Sequence, residues 1–232
     1  MATTYDPIVT DLEASLDQYL DDLRHLAGID SGTDDKAGVD RVQDWFAARF
    51  GELGFAVERR PQTAWGDDLV ARRRGDGRAR LLLIGHADTV YPAGTAAARP
   101  LTIEGDKVLG PGTCDMKAGL LTGLYALRAL EAAGWRDYGQ ITVVIVSDEE
   151  IEQRHSVELL RDEGAKHHAV LTLEAARANG DIVTSRKASR WYRVETIGKA
   201  AHAGVEPEKG ASATLALARI IVAAFDLNGL KP

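Results

Sequence analysis

Three short apolar runs, separated by helical patterns, each end in side chains that bind metal ions. Strands that alternate with helices form parallel or mixed sheets, and open α/β sheets bind ligands at the carboxyl ends of their strands. We therefore expect residues far apart in the sequence to meet at one edge of a sheet. The three segments are Leu81 to Ile84 with Gly85-His86-Ala87-Asp88, Ile141 to Val146 with Ser147-Asp148-Glu149-Glu150, and Ala169 to Leu173 with Glu174.

Apolar periodicity predicts an α/β fold with a mixed, largely parallel sheet and helices on both faces over residues 1–185. The strand segments on either side of the turn Gly75-Asp76-Gly77 are predicted to pair as a hairpin with a solvated, arginine-rich turn. Residues 186–232 are predicted to begin a small α+β domain. The predicted helices are Asp6 to Leu26, a second helix from Asp34 or Asp35 to Gly51, Met116 to Ala133, Ser156 to Glu163 and Ala211 to Phe225. The further predicted strands are Phe55 to Arg59, Asp181 to Ser185 and Arg190 to Ile197.

The composition narrows the class of partners. A net charge of −7 disfavours nucleic acid and anionic membranes as partners. The longest apolar stretch, Leu215 to Phe225, is too short to cross a bilayer, and residues 1–7 carry neither a basic leader nor an apolar segment. The single cysteine, Cys114, has no internal partner for a disulfide, so a reducing cytoplasm is expected.

A fourth metal-binding side chain, Asp115, follows the segment Gly110-Pro111-Gly112 at the start of the predicted long helix. One histidine and three carboxylates suit zinc, with cobalt or manganese as alternatives. Two such ions ~3.5–4 Å apart polarise a carbonyl and activate a shared water, which favours hydrolysis of an amide. The predicted ligands are His86, Asp115, Glu150 and Glu174.

Two further carboxylates have predicted roles beside these ligands. Asp88 lies two residues after His86 and points the same way on an extended chain, so it would orient the imidazole. Side chains of neighbouring residues diverge on an extended chain, which would let Glu150 bind metal while Glu149 acts as the general base.

The chain resembles the co-catalytic zinc peptidases and deacylases that include glutamate carboxypeptidase, acetylornithine deacetylase, succinyl-diaminopimelate desuccinylase and aminoacylase. The resemblance is greatest to glutamate carboxypeptidase. Four motifs stand in the family's order at compatible spacing. They are Gly85-His86-Ala87-Asp88-Thr89-Val90, Gly110-Pro111-Gly112-Thr113-Cys114-Asp115-Met116-Lys117, Ser147-Asp148-Glu149-Glu150-Ile151 and Gly198-Lys199-Ala200-Ala201-His202-Ala203-Gly204.

The resemblance implies two zinc ions, a lid domain that forms a homodimer, and a cis peptide bond between Asp115 and Met116. It also implies a small peptide or an N-acyl amino acid with a free carboxylate as substrate. The resemblance implies that His86 and Glu174 bind one zinc, that Glu150 binds the other, and that Asp115 bridges the two. It also implies that Glu149 is the general base and that Asp88 orients His86. His202 is implied to stabilise the oxyanion in the partner's active site.

The chain departs from the family pattern after the lid begins. The segment that supplies a final histidine to the second zinc is absent, so this second metal site is expected to be incomplete. Two alternatives remain open, an N-acyl-amino-acid deacylase and a catalytically silent protein that binds metal or dimerises.

Three further histidines, His155, His167 and His168, lack a matching carboxylate pattern and are expected at the surface.

Overall fold

The computed structural model describes residues 6–185 and 192–227. The chain divides into two compact units, Met1–Asp181 and Ile182–Pro232. The predicted domain boundary borders segment 186–191, which lies outside the described residues, as do the first two residues of the strand predicted over Arg190 to Ile197. Among the helices in the described part, none is both long and apolar enough to cross a bilayer.

The first unit begins with three helices followed by three strands, after which helices and strands alternate. Its helices are α1 (Asp6–Ala14), α2 (Leu16–Ala27), α3 (Lys36–Glu52), α4 (Thr95–Ala98), α5 (Lys117–Ala132) and α6 (Val157–Gly164). Its strands are β1 (Ala56–Arg60), β2 (Asp68–Arg74), β3 (Arg80–His86), β4 (Thr102–Glu104), β5 (Lys107–Leu109), β6 (Gln140–Val146) and β7 (Ala169–Thr172).

Five of the strands form one mixed sheet in the order β1-β2-β6-β3-β7, and β4 pairs with β5 as a separate hairpin. Strand β3 runs parallel to both β6 and β7, whereas β2 runs antiparallel to β6 and β1. The predicted α/β fold with a mixed sheet is confirmed. Because β3, β6 and β7 are parallel, their carboxyl ends lie at the same edge of the sheet.

The predicted hairpin between the second and third strands is wrong, because β6 lies between β2 and β3. The glycine-rich turn after β2 instead binds the segment that precedes β6, with Gly75 N–H donating to Gly139 O and Gly77 N–H to Tyr138 O. Strand β6 is buried along residues 141–146. A continuous apolar run of this kind is typical of a central strand with neighbours on both sides.

The sheet has a large core on one face and a smaller one on the other. Helices α2, α3 and α5 cover the first face, where Leu26, Phe46 and Leu121 are fully buried. On the opposite face, Leu159 and Leu160 of α6 pack against apolar side chains of β2, β3 and β6. The helices therefore cover both faces, as the helical periodicity predicted.

The predicted first helix is interrupted at Ser15, which separates α1 from α2. The Ser15 hydroxyl donates to the main-chain oxygen of Asp11 at 2.8 Å and accepts from Arg128 on α5 at 2.8 Å. A serine that binds the preceding turn competes with regular helix geometry, so the chain bends here.

The second unit contains a 3₁₀ turn at Pro207–Lys209 and the helix α7 (Ala213–Asp226), which Ser212 caps by accepting from Leu215 N–H. The strands predicted over 181–185 and 192–197 are wrong in the described residues. The extended pairing there is a single bridge between Lys199 and Ala211. Extended segments become strands only when a neighbouring strand accepts their hydrogen bonds.

A buried carboxylate on α6 provides a test of the fold. Glu163 lies within 3.0 Å of Arg72 Nη2 on β2 and 2.9 Å of Lys166 Nζ. Burial raises the pKa of this carboxyl group, but the hydrogen bonds from Lys166 and Arg72 outweigh burial and lower it. A lowered pKa stabilises the fold above the unfolded-state pKa, and this stability is lost as the pH falls through the folded-state pKa.

We therefore expect Glu163→Gln to lower the free energy of unfolding by about 2 kcal/mol at neutral pH. In acid, where the wild-type carboxyl group is also neutral, the difference should largely disappear. Urea unfolding at both pH values measures it. Glu158→Gln is the matched control because its ion pair with Arg161 is exposed on both sides, and it should change stability by less than about 0.5 kcal/mol.

Candidate metal centre

The parallel strands bring the predicted ligands to one edge of the sheet. His86 is the last residue of β3, and Glu150 lies in the turn that follows β6. Glu174 follows β7, whose end is held to β3 by a hydrogen bond from Leu173 N–H to Ile84 O at 2.9 Å. The fourth residue, Asp115, precedes α5, which packs on the same sheet.

The four side chains lie close together. The Nε2 atom of His86 is 3.0 Å from Asp115 Oδ1 and 3.6 Å from Glu174 Oε1. Ligand atoms of His86, Asp115 and Glu150 all lie within 4.8 Å of one another. The structure thus places all four predicted ligands in a single cluster. His86 is buried, whereas the carboxylates border the solvent, so a small ligand has access to them.

Asp88 orients the ring of His86 through two acceptor atoms. The Nδ1 atom of His86 lies 2.9 Å from the main-chain oxygen of Asp88 and 3.3 Å from its carboxylate oxygen Oδ1. Since both atoms can only accept, Nδ1 carries a proton towards Asp88, and the ring turns Nε2 towards Asp115 and Glu174. This is the ring orientation that a metal ligand needs.

Asp88 also holds the turn that carries the two glutamates. Its fully buried carboxylate accepts hydrogen bonds from the main-chain N–H groups of Glu149 at 3.3 Å and Glu150 at 3.2 Å. The Thr33 hydroxyl donates to it at 2.8 Å. The sequence analysis missed Thr33, because no pattern links a threonine 55 residues away to this site.

Glu149 and Glu150 do not lie on an extended chain. The prediction that their side chains diverge because of an extended backbone is therefore wrong. They occupy a 3₁₀ turn, Glu149–Ile151, which the left-handed residues Glu152 and Gln153 close. The turn forms because Gln153 N–H and Ile151 N–H both bind back to Asp148 O. Within it, the Glu150 carboxylate lies among the clustered ligands, and Glu149 lies near enough to His86 to affect its pKa.

The electrostatics of the cluster fit a divalent cation. Burial raises the pKa of Glu150, His86 opposes this rise, and the carboxylates of Asp115, Asp88 and Glu149 add to it, so that the pKa is about 7. Burial alone lowers the pKa of His86, but Asp88, Glu174 and Glu149 outweigh it and raise the pKa to about 9. The excess of negative charge is relieved by a cation, and the imidazole and carboxylate donors suit zinc-like metals.

The segment that presents Asp115 is fixed by its neighbours. The Asp115–Met116 peptide bond is cis, as the family resemblance implied. The helix begins at Lys117, one residue later than predicted. The buried Lys117 Nζ donates to the main-chain oxygens of Leu26 at 3.0 Å and Ile29 at 2.7 Å, and burial lowers its pKa to about 8.

His202 belongs to the second unit, where it is exposed and its Nδ1 accepts from Gly204 N–H at 3.1 Å.

A cleft of about 570 Å³ opens beside Glu150 in the first unit. It is lined by the loops of Thr33 and Tyr91 and by Ile151. These loops surround enough space for one amino-acid residue or acyl group next to the ligand cluster.

Comparison with known proteins gives consistent matches. Carboxypeptidase G2 of Pseudomonas sp. (strain RS-16) is 34% identical over 209 residues, which cover 89% of this chain and 50% of that protein. The acetylornithine deacetylase of Myxococcus xanthus is 32% identical over 193 residues, which cover 77% and 47%. This chain therefore spans about half the length of these relatives.

Solved structures show the same fold. Aminopeptidase PepT from Bacillus cereus ATCC 10987 matches with a TM-score of 0.66 at 23% identity, over 89% of this chain and 56% of that one. The family model described as Peptidase family M20/M25/M40 matches residues 82–224, which include every residue of the ligand cluster. By this match the chain belongs to peptidase family M20/M25/M40.

Proposed function

We propose that the protein is a metal-dependent hydrolase of an amide bond, acting on a peptide or an N-acyl amino acid with a free carboxylate. The observation that carries this proposal is the convergence of His86, Asp115, Glu150 and Glu174 at one edge of the sheet. The names of the relatives support it, because they include a carboxypeptidase and a deacetylase.

The donor set supports a pair of divalent ions, with zinc as the first choice and cobalt or manganese as substitutes. His86 and Glu174 would hold one ion, Glu150 the other, and Asp115 would bridge them. Bound ions would polarise the substrate carbonyl and make a water molecule more acidic. Within this chain, Asp115 and Glu150 would be the protein ligands of the second ion.

Glu149 is proposed as the general base. It accepts a proton from the attacking water, whose oxygen forms a bond to the amide carbon. The carbon–nitrogen bond then breaks, and the same carboxyl group returns the proton to the leaving amine. Asp88 supports this step by holding both the Glu149 main chain and the His86 ring.

We propose that the second unit begins a lid that forms a homodimer, with the domain boundary near residue 186. His202 would stabilise the oxyanion in the partner's site, since an imidazole N–H donor is suited to developing negative charge. The lone, exposed Cys114 supports a location in the reducing cytoplasm.

The deacetylase among the relatives favours one alternative, an N-acyl-amino-acid deacylase. A panel of blocked dipeptides and N-acyl amino acids, assayed with added Zn²⁺ or Co²⁺, separates the two activities by their products. We expect hydrolysis that a chelator abolishes and added metal restores. His86→Ala should lose both metal and turnover. Stoichiometric metal binding without hydrolysis of any member of the panel would instead establish a catalytically silent protein.

A further inference from the structure

A second, largely buried cluster adjoins the turn that carries Glu149 and Glu150. It consists of Asp68, Asp148 and His155, with Trp65 on top of the histidine ring. We propose that His155 is a positioning residue that clamps this turn through Asp148 and so sets the metal affinity of the adjacent centre. The inference rests on the proposed function of that centre.

The ring of His155 is held on both edges and on one face. Its Nε2 is 3.2 Å from Asp68 Oδ1, and its Nδ1 is 2.9 Å from Asp148 Oδ2, an ion-pair contact rather than an aligned hydrogen bond. The Trp65 ring stacks on it with centroids 5.3 Å apart and planes 9° apart. The expectation that His155 is a surface residue is therefore wrong, because nearly all of its side chain is buried.

Asp148 connects this clamp to the glutamate turn. Its fully buried Oδ2 accepts the main-chain N–H of His155 at 2.6 Å and of Ser156 at 3.2 Å, in addition to the ring contact. Asp148 immediately precedes Glu149, and its main-chain oxygen accepts from Gln153 N–H at 2.8 Å. Asp148 thus binds residues 153, 155 and 156 of the segment that follows it, through its main-chain oxygen and its carboxylate.

These hydrogen bonds hold a backbone that would otherwise relax. Glu152 and Gln153 are consecutive non-glycine residues in the left-handed region, with φ values of 69° and 53°. Both residues carry backbone strain, because Cβ comes close to the following carbonyl oxygen in this region. The contacts that offset this strain are the hydrogen bonds from the glutamate N–H groups to Asp88 and from the His155 N–H group to Asp148.

Asp68 anchors the clamp to the sheet. It is the first residue of β2, and its carboxylate accepts from the main-chain N–H and the hydroxyl of Ser147, both at 3.2 Å. Burial raises the pKa of Asp68, while His155 opposes this rise. Without the ring, Asp68 and Asp148 would be two buried carboxylates facing each other, and the loop would have to rearrange.

The cluster also has the composition of a small metal site, with one ligand atom from each residue inside 4.8 Å. However, each ring nitrogen already lies close to a carboxylate oxygen. Both ring nitrogens are therefore already engaged by carboxylates of the protein itself. This geometry favours a clamp over an additional metal ion.

The test measures Co²⁺ binding to the 232-residue chain by its visible absorption, with Zn²⁺ competition for affinity. We expect His155→Ala to weaken binding about 10-fold or more and to change the spectrum, since supporting residues of metal ligands contribute about 10–100-fold. His155→Gln, which keeps one donor, should recover part of the loss. His167→Ala is the matched control, because His167 is partly buried and its ring nitrogens bind the Thr142 hydroxyl and the main-chain oxygen of Glu163, which are not part of the ligand cluster.

A merely structural role would lower the melting temperature of His155→Ala without changing the affinity or the spectrum. That result would overturn the clamp and leave the proposed function standing. Absence of Co²⁺ and Zn²⁺ binding by the wild type would overturn both. If the Co²⁺ spectrum survives His86→Ala but not His155→Ala, the ion is bound by Asp68, Asp148 and His155 themselves. That result would overturn the proposal that His155 is a positioning residue. If His155→Ala does not fold, Asp68→Asn replaces it, with weaker metal binding expected and unchanged binding contradicting the proposal.

Discussion

Replacement of Glu149 by Gln is expected to lower turnover about 100- to 10,000-fold and to leave the bound metal unchanged. The amide keeps the size and the main-chain bond to Asp88, so the turn should retain its shape. The amide cannot accept the proton of the attacking water or return it to the leaving amine. Steady-state kinetics of the best substrate from the amide panel, with metal analysis of the same sample, measure both quantities.

Glu152→Gln is the matched control for this experiment. Glu152 lies in the same turn and is exposed, so the substitution removes one nearby negative charge without removing the proposed base. Turnover should stay within a few-fold of the wild type. Normal turnover in Glu149→Gln would exclude Glu149 as the base, and loss of metal from that variant would instead make Glu149 a ligand.

The second large effect is expected at Gly119, where α5 approaches the end of β7. A methyl group on Gly119 would lie 1.8 Å from the main-chain oxygen of Leu173, which is far inside any real contact. Backbone atoms have to move to make room, so Gly119→Ala should cost about 3 kcal/mol or more of unfolding free energy. Leu173 precedes Glu174, and metal affinity should therefore fall together with stability.

Gly51→Ala is the matched control, because Gly51 lies near the end of α3 with open space around its added methyl group. Alanine at such a helical position should stabilise the protein by about 0.5–1 kcal/mol. Urea unfolding and Co²⁺ titration of the two variants give the comparison. A Gly119→Ala variant as stable as the wild type would contradict the close packing of α5 on β7.

The ligand cluster was predictable because its members follow local rules. His86, Glu150 and Glu174 each come after an apolar run, and parallel strands separated by helices place their carboxyl ends together. The order of the strands in the sheet was harder to predict from the sequence. The turn after β2 contains glycine and arginine in a hairpin-like pattern, yet its hydrogen bonds go to the segment before β6 some 60 residues later.

The second-unit strands and the burial of His155 were predicted wrongly for related reasons. The alternation of apolar and polar residues in a segment does not reveal whether a neighbouring strand is present to pair with that segment. A histidine without a nearby carboxylate pattern looks like a surface residue, but Asp68 approaches it from 87 positions away in the chain. Thr33 and Trp65 reach their partners through the same kind of tertiary contact.

The sequence by itself determined the alternation of helices and strands, the family, and the set of side chains able to bind metal. These properties follow from periodicity and from short motifs, which are local. Only the tertiary structure decided that β6 separates β2 from β3, that the two glutamates lie in a 3₁₀ turn, and that His155 is buried. Those outcomes depend on which distant segments pack side by side, and burial, charge balance and hydrogen-bond satisfaction select among alternatives that the local pattern leaves equal.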